Sequence, residues 1–169
     1  IFDVDGTLAT FDADRLGHLV HGAEKHWDDF HDAMAEAPVI VPVVRLLRHL
    51  KERRIDNVVV LTGDEHQNFA GELHLNGREP EGRPIATEFV STSITSGGDG
   101  SDAAADALAW NPHIKFNNDL RGYLRVDLSA QMLEARFRVV DYVSELGSSV
   151  RTRAVFGVGD GEHRLHRIA

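Results

Sequence analysis

Val58-Val59-Val60-Leu61-Thr62-Gly63-Asp64-Glu65-His66 is an apolar run that ends in a hydroxyl, a glycine, a carboxylate and an imidazole. Four branched apolar residues in succession suit a strand covered on both faces, as in a parallel sheet. Sheets of that kind place ligands just beyond their strand ends. The stretch is therefore expected to be a buried strand with chemistry at its carboxyl end. Upstream, Pro42 suits a helix start, and Val43, Leu46, Leu47 and Leu50 fall on one helical face. Lys51, Arg53 and Arg54 crowd the end of that helix, where cations suit its dipole. Earlier still, Ile1-Phe2-Asp3-Val4-Asp5-Gly6-Thr7-Leu8 reads as a short strand entering a turn. Strand, helix and strand make a βαβ unit with a right-handed crossover, which predicts parallel pairing of the first strand with residues 57–62.

The 169 residues predict a single compact domain, 1–169, long enough to bury a core. A hydrophobic content of 42% with 27% charged residues is that of a soluble globular protein. The formal charge of −9 argues against a nucleic-acid-coating surface, which needs clustered positive charge. With no cysteine, disulfides, zinc–thiolate sites and cysteine nucleophiles are excluded. No apolar run reaches membrane-spanning length, and no signal peptide is visible.

Residues 12–37 read as one or two amphipathic helices, with Leu16, Leu19 and Val20, then Trp27, Phe30 and Met34, at helical spacing. His18, His21, His26 and His31 scatter around those helices, which favours solvated side chains over a metal cluster. The second half alternates differently. Leu124, Val126 and Leu128, then Leu133, Ala135, Phe137 and Val139, then Val150, Thr152, Ala154, Phe156 and Val158 have period two. Three antiparallel strands with one wet face are expected, with a hairpin turn within Asp127–Gln131. Gly97-Gly98-Asp99-Gly100 is expected to be a mobile loop or sharp turn, and Gly159-Asp160-Gly161-Glu162 a terminal turn. The fold class is thus α/β: a Rossmann-like βαβ with parallel strands, then a β-rich half with antiparallel strands.

In a strand, Asp3 and Asp5 lie on one side, and two close carboxylates repel unless a cation or a shared proton lies between them. The string Asp3-Val4-Asp5-Gly6-Thr7-Leu8 resembles the first motif of the haloacid dehalogenase superfamily of phosphohydrolases. Residues 26–33, followed by Pro38, resemble the helical region of polynucleotide kinase-phosphatase relatives within it. The resemblance, covering residues 1–62, implies Asp3 as nucleophile, Asp5 as general acid/base and Mg²⁺ between them. It further implies Thr62 as hydrogen-bond donor to the phosphoryl group, with Gly6, Thr7 and Gly63 also along the phosphate.

After Gly63 the pattern changes. The lysine, the glycine–aspartate and the late acid of that superfamily do not follow in order. Instead Val58–His66, residues 87–100, Asn111-Pro112-His113-Ile114-Lys115-Phe116 and Arg121-Gly122-Tyr123 resemble the carboxyl-terminal part of the alkaline phosphatase D family. This second resemblance spans roughly 58–168 and is reflected in a β-rich segment 63–169. It implies a metallophosphoesterase, with Asp64 and His66 in a metal site holding Fe³⁺ or Ca²⁺ in place of Mg²⁺.

Taken together, a metal-dependent phosphoric ester hydrolase acting on a small phosphorylated substrate is expected. Its leading form is a phosphomonoesterase with an aspartyl-phosphate on Asp3, and its alternative is metal-activated water at Asp64 and His66. Neither set of motifs is complete, so a chimeric or truncated fragment that only binds metal or phosphate is a third reading. The dehalogenase resemblance implies the cytoplasm, and the other implies export with a signal removed. Oligomeric state is not legible.

Overall fold

The computed structural model describes residues 12–21, 23, 24, 26, 29, 41–63, 66–74, 82–94, 96–103, 108 and 111–169. Among the described residues, helices α1 (Ala13–His21) and α2 (Val41–Glu52) precede the sheets. Asp12 caps α1, its carboxylate accepting from the Arg15 backbone N–H at 3.1 Å, and Leu16 buries the helix's inner side. Helix α2 ends where Arg54 adopts a left-handed φ of 54° and the Ile55 N–H reaches back to the Leu50 carbonyl at 2.9 Å. Its predicted apolar stripe is only partly covered, since Leu46 is 42% exposed. No helix among the described residues is long and apolar enough to cross a membrane.

Among the described residues, eight strands form two four-stranded sheets. The first contains β1 (Val59–Thr62), β2 (Asn68–Leu73), β3 (Ala86–Val90) and β4 (Ile114–Asn118), in the order β1-β3-β2-β4. Strands β1 and β3 are parallel, with Val60 opposite Glu88 and Thr62 opposite Val90. Strand β2 runs antiparallel to both β3 and β4, so this sheet is mixed. The second sheet, β5 (Gly122–Leu128), β6 (Met132–Val139), β7 (Arg151–Gly159) and β8 (His166–Arg167), is an antiparallel meander in chain order.

The two sheets share one core. Alternation along each strand sends Val59, Ala70, Phe89 and Phe116 from the first sheet, and Ala135, Phe137, Ala154, Phe156 and Val158 from the second, into one buried cluster. Phe137 sits at its centre, with ring centroids 4.9 Å from Phe116, 6.2 Å from Phe156 and 6.3 Å from Phe89. Tilted and edge-on rings at such separations add to the burial energy. The interior is polar at both ends. Asn68 and Asn118 lie at one, and Glu72, which accepts from the Leu165 N–H at 3.1 Å, lies at the other. Lys115, His74 and Arg164 surround the second oxygen of Glu72 at 3.7–3.9 Å.

The period-two stretches of the second half are strands β5, β6 and β7, with the hairpin turn at 129–131, and residues 160–161 form the expected terminal turn. The Rossmann-like βαβ is not confirmed. Its first strand, residues 1–8, lies outside the described residues, as do Trp27, Phe30 and Met34. The parallel neighbour that β1 has is β3, which comes later in the chain. The Thr87 N–H donates to the Val58 carbonyl at 3.1 Å and the Ser91 N–H to the Thr62 carbonyl at 3.0 Å, which ties β3 along that edge. The described architecture is therefore a mixed sheet facing an antiparallel one.

Because Phe137 touches rings from both sheets, Phe137→Ala is expected to cost about 3–5 kcal/mol in urea unfolding. Leu146→Ser, at a fully exposed position, should stay within about 0.5 kcal/mol. A Phe137→Ala loss no larger than the Leu146→Ser loss would show that the sheets do not depend on this contact.

Candidate functional site at the strand ends

The register of the first sheet collects its polar residues at one edge. Strands β1 and β3 both finish there, β2 begins there, and β4, antiparallel to β2, finishes there too. Since β3 lies between β1 and β2, the connection through Gly63, His66 and Gln67 passes over the end of β3. The proximity is direct, because a Cβ on Gly63 would stand 3.5 Å from the Ser91 carbonyl. The apolar run Val58–Leu61 is thus a strand delivering a polar loop, as its composition predicts.

His66 lies in that loop with φ 56°, a left-handed conformation uncommon for a residue with a side chain. Its imidazole is exposed and makes no hydrogen bond with a described residue, while its carbonyl accepts from Arg121 Nη1 at 2.8 Å. Thr62 and Gly63 are half-buried at the strand end, and the Thr62 carbonyl is committed to Ser91. Asp64 lies outside the described residues, and so do Asp3, Asp5, Gly6 and Thr7. Of the predicted site residues the structure therefore brings together Thr62, Gly63 and His66. Among the described residues no group of three or more His, Asp or Glu side chains is disposed to hold a metal ion. Expectations of Mg²⁺ or of Fe³⁺ and Ca²⁺ rest on His66 as the one described candidate ligand. The helical histidines that are described agree with the solvated reading, with His18 and His26 exposed.

Beneath the loop lies a polar layer that sequence reasoning did not single out. Asn68, 1% exposed, donates from Nδ2 to Asn118 Oδ1 at 2.8 Å and to the Leu120 carbonyl at 3.0 Å. Its Oδ1 accepts from the Thr92 N–H at 3.2 Å. Asn117 Nδ2 donates to Gln67 Oε1 at 3.0 Å. Buried amides so fully paired are fixed in place, and they fasten the start of β2 to the ends of β3 and β4. The available signal was Asn117-Asn118 itself, since two asparagines at the end of a strand are unfavourable unless their side chains find partners.

Arg121, 8% exposed, is the second unforeseen element. Besides His66, its guanidinium donates to the carbonyls of Asp119 at 2.9 Å, Gly98 at 2.9 Å and Gly97 at 3.1 Å. The segment 97–100 is consequently a held turn. Gly98 and Gly100 have φ of 80° and 78°, and a Cβ on Gly100 would collide with the Asp119 carbonyl. Asp99 fixes its other side, accepting from the Val143 N–H at 2.7 Å, the Ser144 N–H at 2.8 Å and the Ser144 hydroxyl at 2.9 Å. Those backbone and hydroxyl donors, with the Arg121 charge nearby, hold the Asp99 carboxyl below its ordinary value. Away from this edge, burial pushes the Glu88 carboxyl up, and burial with the charges of His74 and Lys115 pushes His113 down. A cleft of about 120 Å³ between Asn57, Val59 and the 128–133 hairpin opens at the start of β1, the end remote from His66.

Comparison with known proteins agrees with one of the two resemblances. The family model for PhoD-like phosphatase matches residues 9–137. Alkaline phosphatase D of Bacillus subtilis (strain 168) is 44% identical over 128 residues, covering 74% of this chain and 22% of that protein. A solved structure of PhoD shares 40% identity at a TM-score of 0.68, over 74% of this chain and 24% of that one. The chain thus spans about a fifth of the length of the curated relative. The family match begins at residue 9, well inside the segment 1–62 assigned to the haloacid dehalogenase pattern, and that pattern receives no support.

Asp99 sets a pH dependence with a definite sign. Its folded value lies below the unfolded 3.8, so its contribution is complete above pH 3.8 and drains away as pH falls below it. In urea titrations Asp99→Asn should be less stable than wild type at pH 7, with the gap closing below pH 3.8. A gap that stays constant with pH would contradict this role.

Proposed function

The chain belongs to the PhoD-like phosphatase family, and from that premise we propose that it supplies the strand-end portion of a phosphoric ester hydrolase, with His66 directed at the reacting phosphoester. The observation that carries this reading is His66 itself. It stands beyond the end of a buried strand, its backbone is clamped in a left-handed conformation, and its ring is exposed with no hydrogen bond to a described residue. An imidazole in that position can ligate a metal ion through an unprotonated nitrogen or, as imidazolium, give a proton to the leaving oxygen. Asp64, two residues before, is the companion carboxylate that the family resemblance implies.

Among the described residues no group of three or more His, Asp or Glu side chains could hold the metal of such chemistry, and His66 is the described member of the expected ligand set. What these residues do supply is orientation. The asparagine layer fixes the start of β2, Arg121 fixes the His66 carbonyl, and the 97–100 turn fixes Arg121. Of the two mechanisms expected from the sequence, attack by water near Asp64 and His66 is the one in keeping with the family. The aspartyl-phosphate on Asp3 is left without a relative to support it.

Turnover of p-nitrophenyl phosphate and bis-p-nitrophenyl phosphate, in Mg²⁺, Ca²⁺, Mn²⁺ or Fe³⁺, separates the readings. His66→Ala is expected to lower kcat/KM by at least ~10²-fold, on the scale of a lost acid–base group, and Asp3→Asn to leave it unchanged. The reverse pattern would restore the aspartyl-phosphate route. No turnover by wild type, with saturable Mn²⁺ or phosphate binding in calorimetry, would instead make the chain a binding segment.

A further inference from the structure

Arg121 presents a problem that burial makes acute. A guanidinium 8% exposed needs an answer to its charge, and the usual answer is a carboxylate in direct contact. Here four of its five N–H groups go to backbone carbonyls of three separate segments: His66, Asp119, and the pair Gly97 and Gly98. Asp99 offsets the charge from a distance while its own oxygens are taken by Val143 and Ser144. Such a guanidinium has little left to offer a substrate phosphate. Its geometry suits another task.

A residue's carbonyl is related to its Cα–Cβ bond by a single backbone torsion, ψ. Fixing the His66 carbonyl at 2.8 Å from Arg121 Nη1 therefore limits the directions open to the His66 ring. The left-handed φ of 56° is strained for a side-chain-bearing residue, and it persists only where surrounding bonds over-determine it. Arg121 is the bond on this side of the loop, and it is itself braced by the glycine turn. A lysine at this position could not reproduce the arrangement, because one ammonium cannot span four carbonyls in a plane.

We propose that Arg121 is a positioning residue, which sets the direction of the His66 imidazole by holding the His66 carbonyl against the Gly97–Gly98 turn. The proposal rests on the reading of His66 as functional, but its conformational half can be tested without that reading. The Arg121→Lys and Arg121→Ala proteins are compared with wild type by thermal melting, by the ¹³Cα resonance and amide exchange of His66, and by kcat and KM for p-nitrophenyl phosphate. Expected in each folded variant is a His66 ¹³Cα shift away from the positive-φ range, with amide exchange at least ~10-fold faster. Turnover should fall by ~10–100-fold in kcat, the range for residues that orient a site group, with KM within about threefold. Free guanidinium ion added to Arg121→Ala should restore part of both, which a general loss of stability would not. A folded Arg121→Lys with unchanged His66 resonances overturns the proposal, and so does failure of both variants to fold. If wild type shows no turnover, the hydrolase reading fails, and the His66 resonances still decide what Arg121 does.

Discussion

Contact between two sheets through four phenylalanine rings is what the rest of this chain depends on. Phe89 and Phe116 come from the mixed sheet and Phe137 and Phe156 from the antiparallel one, and they meet tilted or edge-on. Neither sheet could bury its apolar face alone, so each supplies the solvent exclusion that the other needs. The arginines at the rim extend this cover, with Arg153 and Arg167 lying over the Phe116 ring at 5.8 and 6.0 Å.

Such an interior tolerates polar atoms only where they are paired, and the two ends solve that differently. At one end, amides pair with amides and with backbone, so Asn68 is fully engaged. At the other, Glu72 draws Lys115 and Arg164 around one oxygen and the Leu165 N–H to the other, while neither ring nitrogen of the nearby His74 is hydrogen-bonded to a described residue. The asparagine end is the better determined, and it lies under the loop that carries His66. A paired amide layer beneath an exposed imidazole holds the start of β2, and with it the loop, in place.

How much of this could be read beforehand differs between the halves. Strands β5, β6 and β7 follow from alternation, because each turns one face to the phenyl core, although in β7 the opposite face is covered too at Val155 and Gly157. The run Val58–Leu61 was equally legible, being buried on both faces. Its partner was not: the βαβ reading assigned it a strand from residues 1–8, whereas β3 occupies the described parallel edge. For the site, Thr62, Gly63, Asp64 and His66 were visible as polar residues after an apolar strand. Asn68 went unread, and Arg121 was read only as part of a family motif, because the role of each comes from partners tens of residues away, Arg121 from His66 at a separation of 55.

By itself, the sequence determined that β1, β5, β6 and β7 are strands and to which phosphatase family its later motifs belong. Those are local properties, written in period-two burial and in short ordered strings of residue types. Only the tertiary structure decided that β3 enters between β1 and β2, that asparagines line the strand ends, and that a buried arginine grips the His66 carbonyl. Hydrogen-bonding edges and buried charges take whatever partner the packed sheets bring within reach, and that reach is a property of the assembled core.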